Sequence, residues 1–418
     1  MPKSGSALEL TTLAAIPLVM VLGNSMIVPV LPTMQKELNL TQFQVSLIIT
    51  AFSFAAGLII PFVGYLSDRF GRKVIIVPAL ILYGLGGIVA GLAAWLMDNA
   101  YTVILLARIA QGIGAAGTAP IAMALIGDLY SGAKESKALG LIEATNGLGK
   151  VLSPVLGSLL ALLIWYAVFF AFPALCFLTA LAVWFLIKEK KPGKPKPLNK
   201  YLASLKQVFK EQGGWLVTAF FVGSIGLFIL FGVLFYLSDM LETQYKVDGV
   251  IKGLILAIPL MGMVTTAYIT GGRIKQNKPL MRKIMLTGLL ILTTSLVAVA
   301  FFKQLYVMIG LLTLGSIGTG LLLPCLNTLI TGSVAKTERG MITSLYNSLR
   351  FLGVAVGPPV FSWLMSISHE TLFFSVAGLA FFTLILTFFF IKPGGKGKTD
   401  SGKKEERPST LFQKVPAK

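Results

Sequence analysis

Charge is what this sequence has least of. Only 13% of its 418 residues are Asp, Glu, Lys or Arg, while 55% are hydrophobic and the mean hydropathy is +0.82. Soluble domains carry about 25% charged residues. A chain this apolar could not cover its core in water, which excludes a soluble enzyme. Histidine and cysteine are nearly absent. His369 has no ligand-type neighbours, and Cys176 and Cys325 lie in separate apolar runs without a CxxC pair. Neither a metal centre nor a disulfide framework is indicated, and no cofactor is expected. An ATP-driven pump is disfavoured too, because Ala144 stands where a G-x-x-x-x-G-K-[ST] run would need its first glycine before Gly149-Lys150.

Long apolar runs are what the sequence has instead. A bilayer core of about 30 Å needs roughly 20 apolar residues per helix. Twelve runs qualify, near 10–31, 43–66, 74–97, 101–126, 138–163, 166–187, 215–239, 250–271, 282–301, 306–330, 341–366 and 371–391. The first has no small-residue cleavage site and is expected to be a retained helix. The runs divide the chain into an N-terminal six-helix bundle (1–187), a basic linker (188–214), a C-terminal six-helix bundle (215–391) and a basic tail (392–418).

Acids are outnumbered 17 to 36 by Lys and Arg, for a net charge of +19. Nucleic acid is one reading of that excess, but placement argues against it. With a cytoplasmic N-terminus, 29 basic residues fall in inner segments, four in outer loops (Lys36, Lys246, Lys252, Lys303) and three within helices (Arg108, Lys150, Arg350). This is the positive-inside pattern, and it places both termini in the cytoplasm and the chain in the plasma membrane. The linker and tail contribute +6 and +5 without interleaved aromatics, which suits anionic lipid rather than nucleic acid. Leu198, Leu202, Leu205 and Phe209 follow helical spacing, predicting a short amphipathic helix on the inner surface or a solvated linker helix.

The two halves align at one offset of 204 residues: Gly114 with Gly318, Pro120 with Pro324, Gly149 with Gly353, Pro154 with Pro358 and Ser158 with Ser362. Shared Gly and Pro positions imply shared bends and close contacts. Two six-helix halves around a site near the bilayer midplane is a transporter architecture.

Three motifs then carry a family resemblance. Gly64-Tyr-Leu-Ser-Asp68-Arg69-Phe-Gly71-Arg72-Lys73 fits G-x-L-x-D-R-x-G-R-K at every fixed position. Arg108-Ile-Ala-Gln111-Gly112-Ile-Gly114-Ala115-Ala116 fits R-x-x-Q-G-x-G-A-A. In the fifth run, Gly149-x-x-x-Ser153-Pro154-x-x-Gly157-Ser158 approximates G-x-x-x-G-P-x-x-G-G, with two serines for glycines; the repeat offers Gly353-x-x-x-Gly357-Pro358. With Leu22-Gly23 and Pro29-Val30-Leu31-Pro32 in the first run, the chain resembles the major facilitator superfamily, and within it the twelve-helix drug:proton antiporters. The resemblance implies an all-α integral membrane protein of two pseudo-symmetric six-helix bundles. It also implies a conformational gate at Gly64, Asp68, Arg69, Gly71 and Arg72, and hinge or packing positions at Gly149, Pro154, Gly157, Gly353, Gly357 and Pro358. An arginine at Arg108 linked to proton transfer follows from it as well. Several relatives carry a carboxylate near Asn24 or Ser25; this chain has none there.

Ionisable groups within spans are costly and mark function. Glu143, Gly147 and Lys150 share a helical face, so Glu143 is the expected proton carrier, buried and modulated by Arg108. Asn24, Ser25, Gln111, Asn146, Lys150, Asn347 and Arg350 are the expected cavity residues. The expectation is a monomeric transporter exporting amphipathic small molecules in exchange for protons. A dedicated exporter of one metabolite, such as a siderophore or an aromatic anion, is the alternative that Lys150 and Arg350 favour. A sugar importer and a non-transporting sensor are the remaining rivals.

Overall fold

The computed structural model describes residues 7–130, 133–189, 198–274, 277–333 and 336–392. The lysine/proline stretch of the linker and nearly all of the basic tail lie outside them. Among the described residues there are helices and no strands.

The first span is α1 (Ala7–Ser25), a tight turn at Val28–Val30 and α2 (Leu31–Glu37). Pro29 and Pro32 supply no amide hydrogens, and here the helical ladder is interrupted, as it is not at Pro17 within α1. The second and third spans are α3 (Gln42–Phe70) and α4 (Arg72–Leu96). Thr41 and Gln44 cap α3 reciprocally, and Gly71, at φ +106°, supplies the left-handed residue that turns the chain into α4. The fourth span breaks into α5 (Tyr101–Ala116) and α6 (Ala119–Leu129), just before Pro120. The fifth is α7 (Ala133–Ala161), and the sixth breaks before Pro173 into α8 (Ala167–Ala171) and α9 (Pro173–Leu186).

The second bundle consists of α10 (Leu198–Thr243), α11 (Gly249–Arg273), α12 (Lys278–Phe301), α13 (Leu305–Ser333), α14 (Lys336–Met365) and α15 (His369–Phe390). Among the described residues, eleven spans are long and apolar enough to cross a membrane. The twelfth, α7, is 29 residues long, but its polar face holds Glu143, Asn146 and Lys150. The chain is therefore a multi-pass membrane protein.

Two expectations change. The amphipathic stretch is not a separate short helix, because it runs without interruption into the seventh span as the 46-residue α10. Nor do the repeated prolines bend both halves alike: Pro120 sits beside a break, whereas Pro324 lies inside a continuous α13.

The end carrying Ala7 and Lys392 also carries Arg72, Lys73, Arg273, Lys278 and Lys283, and is called the basic end. At the opposite end one apolar cluster joins both bundles, from Ile27, Val45 and Ile104 to Phe228, Leu256 and Phe373. At the basic end each bundle keeps its own core, around Leu80 and Ile121 in the first and Met285 and Leu326 in the second. The apolar cluster shared by the two bundles thus lies at the opposite end.

Candidate functional site

Arg108 is fully buried, so it does not snorkel to a headgroup. Its Nη2 donates to Asn24 Oδ1 at 2.8 Å, its Nη1 to Gln111 Oε1 at 2.8 Å and its Nε to the Ile48 carbonyl at 3.1 Å. The guanidinium also lies 4.4 Å from the Phe52 ring centre. Desolvation of the cation is offset by neutral acceptors and a ring face, with no carboxylate among these partners. Asn24 and Ser25 are buried beside it, which accounts for an amide in the first span. Gln111 turns its carbonyl to Arg108 and leaves its buried Nε2 without a hydrogen-bond partner among the described residues.

A second cluster straddles the bundles. Lys150 of α7 lies within electrostatic range of Arg350 on α14 and of Glu143 on its own helix. Arg350 donates to Asn347 at 3.3 Å and stands 5.3 Å from the Tyr346 ring centre. Its buried Nε and the buried Tyr346 hydroxyl have no hydrogen-bond partner among the described residues. Asn146 and Asn347 are half-buried at the same level of the sequence pattern, since Asn146 corresponds to Arg350 and Glu143 to Asn347 at the repeat offset. The arrangement presents two cations and several amide and hydroxyl groups where the bundles meet. Phe351 connects the two clusters, with its ring 6.5 Å from Phe52.

Two expectations about Glu143 need correcting. Its side chain is exposed rather than buried: in this part of α7 it is Ala138 and Ile142 that pack into the first bundle's core. Gly253 packs on Pro154 and Ser158, and Gly147 on Val264, but Gly140, Gly271 and Gly272 face open space. Glu143 is also not brought to Arg108: its electrostatic neighbours are Lys150 and Tyr346.

The basic-end loop is a charge network within the first bundle. Arg72 pairs with Asp68 one turn earlier and with Asp128 at 3.1 Å, and donates to Ser67 Oγ at 2.6 Å. Glu189, just past the sixth span, accepts from the amides of Arg72 at 2.6 Å and Lys73 at 2.9 Å, capping α4. Arg69 lies against the Phe70 ring. Gly71 makes the expected turn. Gly64 serves a different end: it lets α3 approach α14, where an added Cβ would stand 2.8 Å from Ser344 Oγ.

The hinge positions are packing positions in both halves. Gly149 and Gly157 let α7 meet Leu18, Val21 and the Met26 backbone of the first span. Gly353 and Gly357 let α14 meet the backbones of Ser224 and Phe228 on α10. Pro154 and Pro358 sit inside unbroken helices.

At the opposite end the structure holds a constellation that the sequence reading missed. Glu242 accepts from Lys36 at 2.8 Å and from Lys252 at 2.8 Å, and Lys252 also donates to the Pro29 carbonyl at 2.6 Å. Ser238 donates to the Val28 carbonyl at 2.9 Å. Lys252, counted among outer-loop cations, is only 2% exposed within α11. No sequence spacing links Glu242 to these partners. Glu189 and Asp128 were likewise unmarked.

The sequence model described as Major Facilitator Superfamily matches residues 13–281 and 280–415. The chain is 46% identical over 386 residues to the "Bacillibactin exporter" of Bacillus subtilis (strain 168), covering 92% of this chain and 96% of that one. It is 27% identical to the class E tetracycline resistance protein of Escherichia coli, over 88% of this chain and 92% of the other. Among solved structures, the human organic anion transporter MFSD10 superposes with a TM-score of 0.70 at 19% identity, over 93% of this chain and 100% of that one. A bacterial homolog of the human lysosomal transporter Spinster, in an inward-facing and occupied conformation, gives 0.71 at 18%, over 92% and 97%. On the family match, which spans both bundles, the chain belongs to the major facilitator superfamily.

Proposed function

We propose that this chain is a secondary active exporter working by alternating access, and that its cargo is a dedicated anionic metabolite of the siderophore class. The observation that carries this is the 46% identity, over nearly the full length of both chains, to a bacillibactin exporter. It moves the reading from broad drug export, ranked first on the sequence motifs, to the dedicated exporter. Lys150 and Arg350 supply the matching chemistry, because two cations from opposite bundles can be bridged by one anion. Cargo would enter from the basic end, read as cytoplasmic by the positive-inside pattern, while the far end is held by Lys36, Glu242 and Lys252. The protein is read as a plasma-membrane monomer with no enzymatic activity.

A second reading, export of amphipathic cations in exchange for protons, has the tetracycline resistance relative and exposed Glu143 in its favour. The two readings differ in cargo charge: an anion would bridge Lys150 and Arg350, whereas a cation would be drawn to Glu143. Proton exchange drives export under both readings, but Glu143 carries the exchanged proton only in the second. Arg108, whose hydrogen bonds to Asn24, Gln111 and the Ile48 carbonyl all stay within its own bundle, is read as a positioning residue.

The test is transport by proteoliposomes under an imposed pH gradient, with bacillibactin and cationic dyes as probes. Concentration of bacillibactin with dyes left at equilibrium supports the first reading. Concentration of dyes alone would overturn it.

A further inference from the structure

α12 and α15 run side by side and leave a groove open to the bilayer, of about 370 Å³, near the basic end. Leu286, Leu290, Leu384, Ile385 and Phe388 form its walls. Both walls change character in the same direction. On α12 the i, i+4 row reads Leu290, Leu286, Arg282, Lys278; on α15 it reads Leu384, Phe388, Lys392. An apolar slot therefore ends in a basic mouth, with Lys278, Lys283 and Lys392 exposed around it. Neither wall offsets these charges with an acid: α12 contains none, and Glu370, the one acid of α15, is at the far end of that helix beside Lys303.

Arg282 stands where slot and mouth meet. Its Nη2 donates to the Phe388 carbonyl at 2.6 Å, and its guanidinium lies 5.1 Å from the Phe388 ring centre. These contacts hold the planar fork at the last turn of α15, where carbonyls lack intrahelical partners. Its Nε is buried and has no partner among the described residues. A guanidinium has five donors in a fixed fork suited to phosphate. From Arg282 to Leu290 the groove extends about 12 Å along α12, at 1.5 Å per residue.

We propose that this groove binds one anionic diacyl phospholipid of the adjoining leaflet, with its phosphate at Arg282 between Lys278 and Lys392 and an acyl chain along the slot. The site is separate from the cargo residues and does not depend on which cargo is carried. A zwitterionic lipid of the same chains would fill the slot but bring no net charge to the mouth.

The test is native mass spectrometry of the full chain in detergent, titrated with phosphatidylglycerol or with phosphatidylcholine of identical acyl chains. The wild type should retain a first phosphatidylglycerol in preference to phosphatidylcholine. Each basic side chain removed should weaken that binding about fivefold. Lys278→Gln with Lys392→Gln tests the mouth without touching the Phe388 contact, and Arg282→Gln tests the fork. Leu290→Trp fills the slot and leaves every charge in place; it should also displace the lipid. Melting temperatures of the variants identify any that fail to fold, and the exposed lysine pair then decides the question. Equal retention of the two lipids, or unchanged retention in the lysine variant, overturns the site. Loss on charge removal but not on filling the slot also overturns it, since that is adsorption to a basic surface.

Discussion

Lys252 of α11 holds Glu242 of α10 at 2.8 Å, and the same ammonium reaches the Pro29 carbonyl of the other bundle at 2.6 Å. Lys36 on α2 reaches the second carboxylate oxygen, also at 2.8 Å. One carboxylate thus secures two lysines, one from each bundle, at the end where the apolar clusters already merge. Lys252 is almost fully buried, whereas Lys36 is exposed, so the two arms are unequal. The exposed arm is weakened by water and salt, and the buried one carries most of the tie.

Glu242→Gln should therefore open the opposite end. Removing one partner of a buried pair costs about 3–5 kcal/mol, and the closed state bears most of that cost because the open state hydrates Lys252. The populations should shift roughly a hundredfold or more toward opening. Spin labels at the exposed positions Glu37 and Gln244 report it as a longer distance distribution. A distribution identical to wild type would show that apolar packing alone closes this end.

Arg108→Lys keeps the charge but not the fork. A lysine cannot satisfy Asn24, Gln111 and the Ile48 carbonyl at once in the same plane. We expect a loss of about 1–3 kcal/mol in stability, read as a lower melting temperature, together with reduced transport. Equal stability and activity in the lysine variant would mean that only the charge matters.

Much of this protein was legible in its sequence, and the reasons are physical. Spans announce themselves because hydrocarbon demands about 20 apolar residues, whereas the effect of a proline was only partly legible: Pro120 adjoins a break, but Pro154, Pro324 and Pro358 lie in unbroken helices. Gly149 and Gly353 were recognisable as packing positions because a backbone approach tolerates no side chain. The burial of Glu143 was not legible, since sequence places a residue on a helical face but not whether a facing helix covers it. The Glu242 tie was equally hidden, because its three partners come from α2, α11 and the turn at Pro29, and only the folded chain brings them together.

Asp68→Asn should reduce transport while leaving the protein inserted. Arg72 keeps Asp128 at 3.1 Å and Ser67 at 2.6 Å, so the loop stays assembled but loses one charge at the end of α3. Transport should fall about tenfold if that charge shifts the two-state balance by ~1.4 kcal/mol. Activity matching wild type would assign the loop to insertion alone. Glu189→Gln, which weakens the cap on α4, should lower thermal stability by about 1 kcal/mol.

Lys150→Gln and Arg350→Gln separate the two cargo readings. Each removes one of the cations that meet across the bundles, and each should weaken binding of an anionic siderophore about tenfold or more. Cationic dyes should bind no worse. Siderophore binding unchanged in both variants, with dye binding weakened by Glu143→Gln, would restore the cation:proton exchange reading.

Gly64→Ala distinguishes two roles for the loop's first glycine. As a turn residue it would tolerate alanine poorly because of backbone conformation, but Gly64 lies inside α3, where alanine is the better helix former. Its requirement comes from Ser344 on α14, whose hydroxyl oxygen would stand 2.8 Å from the new methyl. The Ser344 Cβ stands 3.5 Å away, an ordinary contact, so turning that hydroxyl to another rotamer relieves the clash while Thr50 to the Ala355 carbonyl at 2.6 Å and Ser348 to the Gly57 carbonyl at 2.5 Å keep α3 and α14 in place. The single variant should therefore lose only a small part of its transport, and adding Ser344→Ala should recover that part. Both variants are measured in proteoliposomes beside the Ser344→Ala single change, which completes the double-mutant cycle. Additive effects across that cycle would place the role of Gly64 elsewhere than in this contact.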